Sequence, residues 1–130
     1  PLLVLLFVLA TGAILAALTG QADYRSAADA ILRLTHELAR QHPSAFGYLL
    51  GALDLATDGT AEIVIAGDRP DLVAAVQRRY LPRAVLAWGE RTDSPLWADR
   101  ADGSAYVCRN YTCRLPVTSV DALAGQLSTV

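Results

Sequence analysis

The first twenty residues, PLLVLLFVLATGAILAALTG, carry no charged side chain, and the first charge in the chain is that of Asp23. A run of about 20 apolar or small residues has the length of a membrane-spanning helix. The same run fits a helix buried inside a larger helical domain, because its second half is rich in alanine and ends at Gly20, a common helix stop. We favour the buried helix. The alternatives are a small membrane-anchored protein held through residues 2–19, and the remnant of a signal peptide.

Two further helices are predicted between this run and residue 57. The first is capped by Asp23, and the second follows Pro43. Apolar residues at helical spacing predict a buried stripe on each helix. The stripes are Ala27, Ile31, Leu34 and Leu38 on the first helix, and Phe46, Leu49, Leu50 and Leu53 on the second. Successive helices with short links are typical of a helical bundle or an α/α toroid.

The pattern changes at residue 58. After the turn pair Asp58-Gly59, the segment AEIVIAG predicts a strand, residues 70–80 a helix that Asp68 caps, and RAVLAWG a second strand. Such a β-α-β unit is expected to be parallel. Residues 58–130 are therefore predicted to form a small α/β extension, which the short helix VDALAGQL closes. The single glycine before the helix does not match a nucleotide-binding loop, so we expect no nucleotide cofactor.

The stretch YVCRNYTC contains both cysteines of the chain, Cys108 and Cys113. If AYVC and CRLP are the arms of a hairpin, Asn110 and Tyr111 form its tip. The two cysteines then face each other as a non-hydrogen-bonded pair, within the range that a disulfide can bridge. Flanking arginines can stabilise thiolates. We favour two reduced structural thiols, and a disulfide or redox-responsive pair and half of a metal site stay open.

Other classes of site have little support in the sequence. The net charge is −2 with 18% charged residues, and no face is strongly basic, so no nucleic-acid partner is expected. His36 and His42 are six residues apart and do not share a helix face, which argues against a metal site within that helix. No metal or other cofactor is predicted. The chain has no methionine, so we expect it to begin inside a longer protein.

Four segments carry a resemblance: HPSAFGYLLGALDLA, EIVIAG, RRYLPRAVLAW and SAYVCRNYTCRLPVTSVDALAGQL. Together they resemble the C-terminal end of the YyaL-like, spermatogenesis-associated family of thioredoxin-domain-containing proteins. The segment ALTGQADYRSAADAIL resembles the helices just before, so the resemblance covers roughly residues 13–128. The most specific part is AYVCRNYTC-x-x-PVT. The resemblance implies an N-terminal thioredoxin-like domain and an α/α toroid similar to carbohydrate epimerases and six-hairpin glycosidases. It implies that residues 1–57 are the last toroid helices and residues 58–130 a C-terminal extension.

Two functional expectations follow, besides the membrane anchor. The resemblance implies a mainly structural, cytoplasmic C-terminal portion, whose partners are the thioredoxin-like and toroid parts of the parent protein. On that interpretation the chain has no complete active site and no activity alone, and the parent's substrate is unknown. The cysteine spacing points instead to a thiol–disulfide redox-responsive module that uses Cys108 and Cys113.

Overall fold

The computed structural model describes residues 2–130, without the side chains of residues 2, 3, 5, 6, 48, 56 and 57. The chain divides into two compact units, Pro1–Gly59 and Thr60–Val130. We call them the helical unit and the sheet unit. The fold is thus a set of helices together with a small mixed sheet, as the sequence predicts at this level.

The helical unit contains α1 (Leu2–Thr19), α2 (Ala22–Gln41), a 3₁₀ helix (Pro43–Phe46) and α3 (Gly47–Asp58). Helix α1 packs against both α2 and α3. The approach of α1 to α2 is close at Gly12, where a Cβ atom would lie 3.4 Å from the carbonyl oxygen of Tyr24. Alanines make up half of the core, whose buried members are Leu9, Ala28, Ala39, Phe46, Leu49 and Ala52.

The apolar stripe predicted to be buried on α2 is not the face that the helix buries. Leu34 is 74% exposed and Leu38 is also exposed, whereas Ala28, Thr35 and Ala39 are buried. The fully buried positions of α2 thus carry small side chains, and its larger residues Ile31 and Leu32 are only partly buried against the same core. Leu50 of α3, predicted to face inward, is exposed as well. The predicted Asp23 cap is also wrong, since α2 begins after Gln21 and Asp23 lies in its first turn.

The prediction of a membrane anchor through residues 2–19 is wrong. Among the residues that the structure describes, no helix combines the length and the hydropathy of a membrane span. Helix α1 has 18 residues and ends at Thr19. Gly20, which follows it, has a φ of 73°. The helix is about 27 Å long at 1.5 Å per residue. Leu9 is buried against its neighbours whereas Phe7 is exposed, so the described part of α1 is covered on one side only.

The sheet unit is built on four strands in the order β2-β1-β3-β4. The strands are β1 (Ala61–Ile65), β2 (Ala84–Trp88), β3 (Ala105–Arg109) and β4 (Thr112–Cys113). The β1 and β2 strands are parallel and are connected through α4 (Pro70–Gln77), which confirms the predicted β-α-β unit. The β3 strand is antiparallel to β1 and β4 is antiparallel to β3. Helix α4 begins after Arg69 rather than at the predicted cap, Asp68.

The two faces of this sheet have different neighbours. Ile63, Ile65 and Val107 belong to a core that α4 and α5 (Val120–Leu127) complete. Side chains alternate between faces along a strand, so Glu62 and Val64 point to the other face. The 3₁₀ helix Pro95–Trp97 packs against β1, and its Leu96 and Trp97 are buried. The cysteine hairpin therefore extends a sheet that is well packed.

Candidate thiol–disulfide site

The two cysteines lie on a tight hairpin formed by β3 and β4. Cys108 is paired with Cys113, and Arg109 with Thr112, which confirms the predicted register. Asn110 and Tyr111 form the turn, with φ angles of 50° and 62°. Left-handed φ at both central positions is the requirement of a primed two-residue turn, whose twist matches that of the strands.

The structure joins the two cysteines in a disulfide. The Sγ atoms are 2.00 Å apart, and the Cα atoms are 3.9 Å apart. The favoured expectation of reduced thiols is therefore wrong. The physical reason is the pairing: a non-hydrogen-bonded antiparallel pair brings its Cα atoms closer together than any other position in the ladder, so the side chains meet.

The two sulfur atoms differ in their surroundings. Cys108 is 2% exposed, whereas Cys113 is partly exposed. Arg100 donates from Nη2 to the Sγ atom of Cys113 at 3.0 Å. A thiolate in solution can thus reach Cys113, beside a cation, more easily than Cys108.

Several contacts hold Arg100 in this position. Its Nε atom donates to the carbonyl oxygen of Leu96 at 2.8 Å. Its guanidinium lies over the ring of Tyr106, 4.7 Å from the centroid, and the Tyr106 hydroxyl accepts from the amide of Ala101 at 2.9 Å. The cation is therefore fixed by a carbonyl and by an aromatic face, and its contact with Cys113 does not depend on a mobile side chain.

A buried carboxyl lies in the same row of the sheet as the disulfide. Glu62 of β1 is paired with Cys108, and it is only 3% exposed. Its Oε2 atom accepts from the amide of Tyr111 at 3.3 Å. Burial raises the pKa of Glu62, and this rise is opposed by the turn amides of Tyr111 and Asn110 and by the charge of Arg109. The carboxyl is thus linked both to the strand that carries Cys108 and to the turn.

Sequence reasoning missed both Arg100 and Glu62. Glu62 is the only charged residue within β1, and a lone charge inside an apolar strand is a signal that the sequence does contain. Arg100 lies in an irregular stretch before β3 and has no periodic pattern around it. Only the three-dimensional packing brings it to Cys113.

The remaining candidates for metal binding do not form a site. His36 and His42 are both exposed in the helical unit. Among the described residues, no group of three or more His, Cys, Asp or Glu side chains is arranged to hold a metal ion.

Comparisons of the chain with protein-family models, with curated proteins and with solved structures find no match. The resemblance to thioredoxin-domain-containing proteins stays a prediction.

Proposed function

We propose that the sheet unit is a thiol–disulfide exchange module, in which Cys113 reacts with a partner thiol and Cys108 is its internal partner. The observation that carries this proposal is the asymmetry of the disulfide. Cys113 is partly exposed and accepts a hydrogen bond from Arg100, whereas Cys108 is buried. A purely structural staple has no need of a cation at one sulfur.

The exchange consists of two displacements. A partner thiolate attacks Sγ of Cys113, the Cys108–Cys113 bond breaks, and Cys108 leaves as a thiolate that takes up a proton. A second partner thiolate then attacks the partner's sulfur in this mixed disulfide, and Cys113 leaves. The pair gains two electrons and two protons, and the two partner thiols become a disulfide. The reverse sequence oxidises the pair.

Arg100 favours the reaction at Cys113 in both directions. A positive charge near a sulfur stabilises the thiolate and lowers its pKa. In the open pair, Cys113 is therefore the better nucleophile at neutral pH. When Cys113 is the leaving group, the same charge makes it a better one.

The proposal is tested with two single variants of the full chain, Cys108→Ser and Cys113→Ser, each treated with glutathione disulfide. Cys108→Ser retains the accessible thiol beside Arg100, and we expect it to form a stable mixed disulfide that mass spectrometry detects. Cys113→Ser retains only the buried thiol and is expected to react at least tenfold more slowly. Equal rates for the two variants would contradict the proposal.

A second candidate function is favoured by the exposed apolar surface of the helical unit. Phe7, Leu34 and Leu50 are all exposed, and large apolar side chains on helices are usually covered by other helices. We propose that these helices complete an α/α toroid of a longer protein, in the position that the family resemblance implies. The chain would then act mainly as a structural part of that protein.

This second proposal makes a direct claim about the gene. The reading frame upstream of residue 1 should encode further helical hairpins and a thioredoxin-like domain. Adding that upstream part as a separate polypeptide should give a one-to-one complex and slow amide exchange in α1 to α3. A frame without those domains would refute the proposal, and so would an added polypeptide that leaves amide exchange unchanged.

A further inference from the structure

Glu62 is the cross-strand partner of Cys108, the residue whose thiol proton must move during exchange. It is directly opposite Cys108 in an antiparallel ladder, so the two side chains share a face of the sheet with Cβ atoms about 4.5–5.5 Å apart. Both residues are buried. The exchange that we propose requires Cys108 to lose a proton when the disulfide closes and to gain one when it opens.

We propose that the Glu62 carboxyl is the group that takes this proton from Cys108 and returns it. The inference rests on the proposed exchange function. In the closing step, the proton moves from Sγ of Cys108 to Glu62. The Cys108 thiolate then attacks Cys113 in the mixed disulfide, the bond from Cys113 to the partner sulfur breaks, and the partner leaves as a thiolate. In the opening step, Glu62 gives the proton back to the departing Cys108.

The surroundings of Glu62 suit this role. The strand β2 and the 3₁₀ helix Pro95–Trp97, which pack against β1, carry no charged residue. On β3 the titratable or charged groups are Tyr106, Cys108 and Arg109, and on β4 the only one is Cys113. Arg100, which follows the 3₁₀ helix, is directed to Cys113 and Tyr106. Desolvation makes a buried carboxylate a stronger base than an exposed one.

The contact with the turn holds the carboxyl in place. The amide of Tyr111 donates to Oε2 of Glu62, and Tyr111 lies in the turn between the two cysteines. An ionised carboxylate has about four acceptor positions, so Glu62 can accept this bond and still take up a proton. The same bond ties the turn to the central strand β1, and so it keeps the hairpin arms in register while the disulfide is open.

The test follows the reduced full chain as it reacts with the aromatic disulfide dithionitrobenzoate. The first release of thionitrobenzoate depends on reagent concentration and reports attack by Cys113. The second is first-order and independent of reagent, because Cys108 displaces the bound group inside the protein. We expect Glu62→Gln to slow the second phase about tenfold or more and to change the first by less than about twofold.

Two further variants serve as controls. Glu90→Gln makes the same change at an exposed position of the sheet unit and should leave both phases unchanged. Glu62→Asp keeps a carboxyl, so its closing rate should still level off once that carboxyl is ionised. The closing rate of Glu62→Gln should instead keep rising with pH, because Cys108 must then lose its proton to solvent. This pH profile separates proton transfer from a loss of packing.

The outcomes distinguish the two proposals. Suppose that the unaltered chain shows the first-order phase, and that Glu62→Gln closes as fast as the unaltered chain at every pH. The role of Glu62 is then refuted, while the exchange function stands. If the unaltered chain shows no first-order phase, Cys108 does not act as the internal partner, and both proposals fail.

Discussion

The two units differ in how they use their apolar residues. The sheet unit encloses a core in which Ile63, Ile65, Leu72 and Leu123 have no exposed surface. In the helical unit, half of the buried core residues are alanines, and large apolar side chains such as Phe7 and Leu34 face outward. Burial of large aliphatic groups contributes most to stability. The comparison therefore indicates that the sheet unit contains its own stabilising core, and that the helices of the helical unit leave much of their own apolar surface uncovered by one another.

The largest effect should come from truncating the core of the sheet unit. Ile63→Ala is expected to cost about 2–5 kcal/mol of unfolding free energy, because it leaves a cavity at the centre of the sheet. Both tryptophans of the chain lie in the sheet unit, so urea unfolding followed by tryptophan fluorescence reports this loss. Leu34→Ala, followed by circular dichroism at the helical signal, should change stability by less than about 0.5 kcal/mol. If Ile63→Ala and Leu34→Ala lowered the unfolding free energy by the same amount, the two units would not differ in how they use their apolar residues.

Removal of the disulfide should have the next largest effect. Replacing both cysteines by serine is expected to destabilise the sheet unit by about 2 kcal/mol, the chain-entropy value for a loop this short. Tryptophan fluorescence in urea measures the change, and treating the unaltered chain with a reductant should reproduce it. Thr112→Ser, a neighbouring change that leaves the disulfide intact, serves as the control. A stability that does not depend on the disulfide would show that the pair has no structural role.

A smaller change, this time a gain in stability, is expected from replacing Tyr111 in the hairpin turn. Tyr111 has a φ of 62°, a conformation that costs a residue with a Cβ atom about 1 kcal/mol. Tyr111→Gly should therefore stabilise the sheet unit by up to about that amount. Tyr111→Ala removes the same ring but keeps the strained backbone, so it should not stabilise. If Tyr111→Ala stabilised the sheet unit as much as Tyr111→Gly, the gain would come from removing the aromatic ring and not from relieving the backbone.

The smallest expected effect is a change in how the unfolding free energy depends on pH. Burial raises the pKa of Glu62 above its ordinary value of 4.5, so the folded chain binds this proton more tightly than the unfolded chain. The contribution is fully present below the unfolded pKa, and it is lost as pH rises through the folded pKa. The unfolding free energy of Glu62→Gln, measured in urea from pH 4 to pH 8, should thus improve relative to the unaltered chain as pH rises. The unfolding free energy of Glu90→Gln should show the same pH dependence as that of the unaltered chain. The same pH dependence for Glu62→Gln would contradict the raised pKa of Glu62.

The sheet unit was the more predictable half of the fold. Alternation, turn residues and strand spacing correctly predict β1, the parallel partner β2 and the pairing of Cys108 with Cys113. These features depend on local pattern and on one hairpin. In α2, alanines and leucines occur on more than one face, so periodicity alone does not decide which face is buried. The observed choice depends on packing against the neighbouring helices, which the sequence of α2 alone does not contain.

The site itself was predictable only in its covalent part. The spacing of Cys108 and Cys113 allows a disulfide but does not decide between a bond and free thiols. The contact from Arg100 crosses from an irregular segment to a neighbouring strand, and no local pattern encodes it. The position of Glu62 beside Cys108 depends on the register between β1 and β3, which are distant in sequence.

The central claim is that Cys108 and Cys113 form an exchangeable couple. The most direct test is to equilibrate the full chain with glutathione buffers of graded ratio and to count free thiols by mass spectrometry after rapid alkylation. We expect a reversible two-electron transition within the range of cellular glutathione, roughly −180 to −320 mV, with glutathione attached to Cys113 at intermediate ratios. A disulfide that stays closed throughout that range, with no glutathione on either cysteine, would contradict the account.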